Sequence, residues 1–253
     1  MFGWFRPICP CDAEAKKWIE DSFQWLARQF GLHILLEKNI ILPTAEFFPD
    51  PWDGSDKAVR QLFDRLCSYM DIDRDDVKMK LIHDRAGLGL AALDPSRGAA
   101  AATWSKGEES YSKGIIRIER AAIGHRDDLI GIIAHELSHQ RLLGEGRYRC
   151  DKFDNELLTD LTAIYFGFGV FLANNRNKST GELGRWPGTK LFRPEYLSEP
   201  MMGYALAHLA WFRDEHRPPW SKHLRSVPYA VFKQGLNYLE KTGDSTFKPI
   251  RMR

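Results

Sequence analysis

The 253-residue sequence predicts an α+β fold, with a small mixed β-sheet formed early in the chain and a helical C-terminal half. Strand-like alternation of apolar and polar residues occurs in the first half of the chain. Apolar repeats at helical spacing dominate the second half. The hydrophobic content of 43% is enough to bury a sizeable core. We therefore expect a single domain over residues 1–253, made of an N-terminal part (1–84) and a second part (85–253).

The N-terminal part is predicted to begin with a helix. Residues 12–30 place apolar side chains at the spacing of an amphipathic helix, and Gly31 is expected to end it. Residues 33–42 form an apolar, strand-like run. After a loop marked by prolines, Ser55 is expected to cap a second helix that runs to about residue 70.

Two further strands and a series of helices follow. Residues 77–83 and 115–119 are predicted strands, whereas the stretch over 87–114, rich in Gly, Ala and Ser, gives no clear prediction. Residues 174–194 are predicted to be a polar loop. The helices are expected over residues 126–143, 154–173, 200–215 and 227–241.

Composition and charge exclude several classes of protein. The 36 Lys and Arg residues nearly balance the 34 Asp and Glu residues, and a net charge of +2 does not indicate a nucleic-acid or membrane partner. An aromatic content of 12% excludes disorder over the whole chain. The N-terminus lacks a basic leader followed by an apolar core, and the longest apolar run, residues 165–173, is short of the roughly 20 residues of a membrane helix. We therefore expect a cytoplasmic protein.

The sequence contains four cysteines: Cys9, Cys11, Cys67 and Cys150. In a reducing compartment they are expected to be free thiols. Cys9 and Cys11 enclose a single proline, so they lack the two-residue spacer of a redox or zinc motif. A second metal site at this pair stays open as an alternative.

The segment that carries the most chemical information is an HExxH pattern. His135 and His139 are four residues apart within an apolar repeat that predicts a helix. Residues four apart share a helix face, so the two imidazoles would meet at one point, as two ligands of a tetrahedral zinc do. Glu136 follows the first histidine and is placed to act as a general base on a metal-bound water. The alternative is a pair of histidines that line or cap a surface helix.

The next predicted helix opens with two acids four residues apart, Glu156 and Asp160. Their stripe continues through Ala163 and Gly167, which are small enough to let this helix approach the HExxH helix closely. A carboxylate on this stripe can supply a third ligand, and a second can hold a ligand imidazole through its other N–H. The alternative is that both are ordinary acids of the first turns, favoured by the helix dipole.

An HExxH followed on the next helix by NExxxD resembles the gluzincins, the thermolysin-like zinc peptidases. The resemblance is confined to residues 132–160. It implies that His135, His139 and Glu156 bind Zn²⁺. It also implies that Glu136 is the general base and that Asp160 holds a ligand histidine. The implied fold is zincin-like, with the small mixed sheet packed on the HExxH helix.

The sequence offers further candidates for site residues. Tyr204 and His208, four apart on a predicted helix, are candidates for a donor that stabilises the transition state, as a Tyr and a His do in that family. Their alternative is a packed core helix. Glu145 is an alternative third ligand of metzincin type. By analogy with zincins, residues 115–119 are expected to form the sheet edge that binds the substrate backbone.

The leading functional hypothesis is a zinc peptidase that hydrolyses a peptide or protein substrate. A regulatory or partner-binding protein with little or highly specific proteolysis is the alternative. A third possibility is a zinc ion held as a structural brace by four protein ligands.

Overall fold

The computed structural model describes residues 7–83, 102–107, 113–149, 152–175, 182–185, 192–194 and 196–249. The chain forms two compact units, and each is described here by itself. The first, which we call the helical unit, comprises Met1–Leu42 and Asp151–Arg253. The second, the sheet unit, comprises Pro43–Cys150.

The described chain combines many helices with few strands, which confirms an α+β composition. The helices are α1 (Ala13–Phe30), α2 (Leu32–Glu37), α3 (Asp56–Tyr69), α4 (Arg126–His139), α5 (Lys152–Tyr165), α6 (Gly169–Asn175), α7 (Glu199–Phe212) and α8 (Ser226–Thr242). The strands are β1 (Val77–Ile82), β2 (Ala102–Ser105), β3 (Gly114–Glu119), β4 (Glu182–Arg185) and β5 (Phe192–Pro194). None of the helices described is long and apolar enough to cross a membrane.

The sheet unit contains the predicted small mixed sheet. Its strand order is β1-β3-β2, with β1 parallel and β2 antiparallel to β3. Val77 lies opposite Gly114, and Trp104 lies opposite Ile116. Strand β3 is therefore central, and the expectation that residues 115–119 form an edge is wrong. Among the described strands of this sheet, β1 and β2 lie at the two ends.

Two helices complete the sheet unit. Ser55 caps α3 as predicted, since its side chain accepts a hydrogen bond from the Ala58 N–H. Helix α3 buries Phe63 and Leu66 completely. Helix α4 packs against both α3 and β2. The core of the unit thus lies between the sheet and these two helices, and it holds α4 in place.

The helical unit is built around α7. Helix α7 contacts α1, α5, α6 and α8, and its residues from Met201 to Phe212 are all buried. Helix α1 runs from the Asp12 cap to Gly31, whose φ of 96° ends the helix as the sequence predicts. Strands β4 and β5 pair as an antiparallel ladder within the stretch that we predicted to be a loop.

The predicted strand over residues 33–42 is wrong. The positive φ of Gly31 turns the chain, which then starts the short helix α2 instead of extending. Ile34 and Leu35 of this helix are buried, whereas Leu36 is 41% exposed. A short apolar run is compatible with a strand or with a short helix. In the folded chain, the helix buries Ile34 and Leu35 within the unit.

The single helix predicted over residues 154–173 is in fact two, α5 and α6. Gly167 adopts a φ of 94° between them, which an α-helix does not allow. A Cβ atom at this position would collide with the backbone oxygen of Asn39, and the Gly167 carbonyl accepts a hydrogen bond from the Ile41 N–H. Gly167 therefore provides a close approach to the 39–41 segment and does not continue the stripe of Glu156 and Asp160.

Candidate metal centre

The two histidines of the HExxH motif lie in the last turns of α4. Leu129, Ile133 and Leu137 are fully buried and fix the rotation of this helix. His139 lies one helical turn after His135. Their ring centroids are 4.9 Å apart, and the rings are nearly perpendicular at 84°. The predicted helix and the shared face of the two imidazoles are confirmed.

Helix α5 carries the predicted third ligand, Glu156, which is 9% exposed. His135, His139 and Glu156 offer one ligand atom each, and these three atoms all lie within 4.8 Å of one another. Ligand atoms around a tetrahedral zinc are roughly 3.4 Å apart, because zinc–nitrogen and zinc–oxygen bonds measure about 2.0–2.1 Å. The three residues form a group that could hold a metal ion. The described residues contain no other group of three His, Cys, Asp or Glu residues at such distances.

Glu136, the predicted general base, follows His135 directly on α4. Only 7% of its surface is exposed. Its role as a general base stays a prediction.

Asp160 lies one turn beyond Glu156 on α5 and is 2% exposed. Its Oδ2 accepts a 3.0 Å hydrogen bond from the Leu197 N–H. The carboxylate therefore ties α5 to the residues that precede α7. Its predicted bond to a ligand imidazole stays a prediction.

Two residues beside His139, Trp104 and Gln140, were not predicted as part of the site. The Trp104 indole N–H donates a 2.9 Å hydrogen bond to Oε1 of Gln140, which is 5% exposed. The Trp104 ring also stacks on His139, with centroids 6.4 Å apart at 24°. Gly114 on β3 leaves room for this pair, since a Cβ there would lie 2.6 Å from Trp104 Nε1. A pattern search misses these residues because their contacts depend on the β2–β3 pairing.

The alternative third ligand, Glu145, is engaged elsewhere. Helix α4 continues into a π-helical turn, Gln140–Gly144, which ends at this residue. Arg141 Nη1 lies 2.6 Å from Glu145 Oε1, and Arg147 Nε lies 2.6 Å from Glu145 Oε2. Both carboxylate oxygens are thus paired with guanidinium groups, which favours Glu156 as the ligand.

Tyr204 and His208 are both fully buried on α7. The Tyr204 hydroxyl donates a 2.6 Å hydrogen bond to Glu20 Oε1. His208 stacks on Phe23, and its Nε2 lies 3.0 Å from Ser245 Oγ. The structure thus places them in the core of the helical unit, outside the ligand group, as the packed-helix alternative expects.

Comparisons with models of known protein families, with curated proteins and with solved structures gave no match to this chain.

Proposed function

We propose that this chain is a zinc-dependent peptidase of the gluzincin type with a zincin-like fold, which hydrolyses a peptide or protein substrate. The main support is the ligand group: His135, His139 and Glu156 present their ligand atoms within 4.8 Å of one another, and the HExxH glutamate, Glu136, lies next to the first histidine.

The donor set favours zinc over harder cations. Two imidazoles and one carboxylate are ligands that zinc accepts, whereas calcium and magnesium prefer oxygen ligands throughout. Three protein ligands also leave one position of a tetrahedral ion open, which is the pattern of catalytic sites. When bound, zinc would lower the pKa of a water molecule and polarise the substrate carbonyl.

Within this proposal, residues of the chain itself transfer the proton, hold a ligand histidine and bind the substrate. Glu136 takes a proton from the attacking water at its carboxylate and returns it to the leaving nitrogen. Trp104 and Gln140 restrict the ring of His139 from the side of the sheet. Strand β2 packs against α4 at one end of the described sheet. In this proposal the substrate backbone binds along β2 and not along residues 115–119.

Metal analysis of purified variants tests the ligand set. We expect one zinc per chain in the wild type and loss or strong weakening of binding in His135→Ala and Glu156→Ala. Glu145→Ala is the matched control, because it removes a carboxylate whose oxygens are paired with Arg141 and Arg147. Zinc retained in Glu156→Ala and lost in Glu145→Ala would overturn the assignment.

Hydrolysis of a mixture of unrelated peptides tests the activity. We expect Glu136→Gln to keep zinc and to abolish cleavage, because an amide cannot accept the proton. A Glu136→Gln protein as active as the wild type would remove this mechanism. A zinc-loaded wild type that cleaves none of the peptides would contradict a broad peptidase and favour a regulatory or single-target protein.

A further inference from the structure

A pair of thiols precedes α1, at a distance in the chain from the metal-ligand group. Cys9 Sγ and Cys11 Sγ are 3.8 Å apart, within hydrogen-bonding distance for sulfur, and both residues are half-buried. Cys9, Cys11 and Cys67 are free thiols as predicted, whereas Cys150 lies outside the described residues.

The segment that carries the pair is held against α8. The Gln234 side-chain amide donates a 3.2 Å hydrogen bond to the carbonyl of Ile8. Pro10 packs near Gly235, where an added Cβ would lie 3.5 Å from the proline Cγ. These contacts hold the backbone just before the pair and between its two cysteines.

The two thiols differ in acidity. The hydrogen bond between the two thiols lowers the pKa of Cys9, and the ammonium of Lys16 lowers it further. The same hydrogen bond, together with burial, raises the pKa of Cys11. Cys9 is therefore the better nucleophile of the two, because the thiolate is the reactive form. Burial raises the pKa of Cys67 in the sheet unit to about 12, so that thiol is unreactive.

We propose that Cys9 and Cys11 form a reversible intramolecular disulfide by exchange with a small-molecule disulfide such as oxidised glutathione. This site is independent of the proposed metal centre and of the peptidase activity. Formation of the bond brings the sulfur atoms from 3.8 Å to the roughly 2.05 Å of a disulfide.

The exchange proceeds in two balanced steps. The Cys9 thiolate attacks one sulfur of the small disulfide, so that a mixed disulfide forms and one small thiolate leaves. Cys11 then attacks Cys9 Sγ and releases the second small thiolate. The protons of the two cysteine thiols end on the two small thiols. Two protein thiols are thus oxidised while one small disulfide is reduced.

Alkylation followed by peptide mapping tests the proposal on the full chain. The protein is incubated with oxidised glutathione, alkylated under denaturing conditions, and digested with trypsin. Cys9 and Cys11 fall in the same tryptic peptide, since no Lys or Arg separates them before Lys16. We expect this peptide to lose both alkyl groups and to regain them after treatment with dithiothreitol. Cys67 should be alkylated throughout.

Single variants identify the roles of the two thiols. Cys11→Ser should trap Cys9 as a mixed disulfide with glutathione, whereas Cys9→Ser should react far more slowly at Cys11. Cys67→Ala is the matched control and should oxidise like the wild type. Cys150→Ser should also leave the reaction unchanged, because the pair needs no third cysteine.

Three results would overturn the proposal. The first is full alkylation of both residues at every glutathione ratio. The second is stable mixed disulfides on both cysteines of the wild type. The third is loss of the oxidised peptide in Cys150→Ser, which would show that the pairing runs through that residue.

Discussion

Trp104 and Gln140, which are 36 residues apart in the chain, are joined by a 2.9 Å hydrogen bond from the indole N–H to the amide oxygen. The bond connects β2 to the end of α4, immediately after the second histidine of the HExxH motif. It stabilises the part of α4 on which the proposed centre depends.

Trp104→Phe should lower the free energy of unfolding by about 1–3 kcal/mol, because the buried Gln140 oxygen loses its donor while the aromatic stack on His139 is retained. Urea denaturation monitored by circular dichroism measures this. Trp52→Phe, at a half-buried residue of the same unit, is the control and should change stability much less. Equal losses in the free energy of unfolding from the two substitutions would mean that the hydrogen bond itself does not stabilise the protein.

Tyr204→Phe should destabilise the protein by about 1.5–3 kcal/mol, since it removes a hydrogen bond to a buried carboxylate. Burial raises the pKa of Glu20, but hydrogen bonds from Thr246 and Tyr204 outweigh it and leave that pKa lowered. Tyr165→Phe is the control, because Tyr165 is also fully buried and its hydroxyl donates to the neutral carbonyl of Gly31. We expect about 0.5–1.5 kcal/mol there. A Tyr204→Phe protein of full stability that had lost peptidase turnover would instead support the role of a transition-state donor.

Stability should fall as the pH decreases from 6.5 toward 4. Complete burial lowers the pKa of His208 from 6.5 to about 4, so the unfolded chain binds a proton in this window that the folded chain excludes. The loss is on the order of 3 kcal/mol and is complete below the folded pKa. Urea denaturation at several pH values measures it. His208→Gln should flatten the curve in this window, and an unchanged slope would show that other groups cause it.

Gly167→Ala should be strongly destabilising, because the position combines a φ of 94° with the close approach of the Asn39 carbonyl. We expect a loss of about 2–4 kcal/mol from backbone strain and overpacking together. Gly243→Ala is the control: its φ is 57° and no atom lies within 4 Å of an added Cβ, so only the strain of about 1 kcal/mol applies. Thermal denaturation of the two variants should separate backbone strain from overpacking. Similar losses of stability in both variants would contradict the packing argument.

Features with a local cause could be predicted from the sequence. Ser55 caps α3 through the N–H of a residue three positions later, and Gly31 ends α1 through its own backbone conformation. His135 and His139 share a face because they are one helical turn apart. We also expected Glu156 to lie near them. That expectation came from the family resemblance and from the helix face that Glu156 shares with Asp160.

Features that depend on residues distant in the chain were missed or were predicted wrongly. The strand predicted over residues 33–42 became α2 because burial of Ile34 and Leu35 decided the structure. The break at Gly167 depends on the backbone of Asn39, more than a hundred residues away in the chain. Trp104 could not be connected to the site because no local pattern predicted β2. Each of these depends on a neighbour that one-dimensional periodicity does not contain.

The contacts of Glu20 also set a practical limit on shortening the chain for biochemical work. The backbone N–H and the hydroxyl of Thr246 each donate a 2.8 Å hydrogen bond to Glu20 Oε2. A truncation that ends before Ser245 would leave this interior carboxylate with Tyr204 and Lys16 as its remaining partners. Deletion series and C-terminal fusion points are therefore best planned beyond Phe247, so that Thr246 keeps its hydrogen bonds to Glu20.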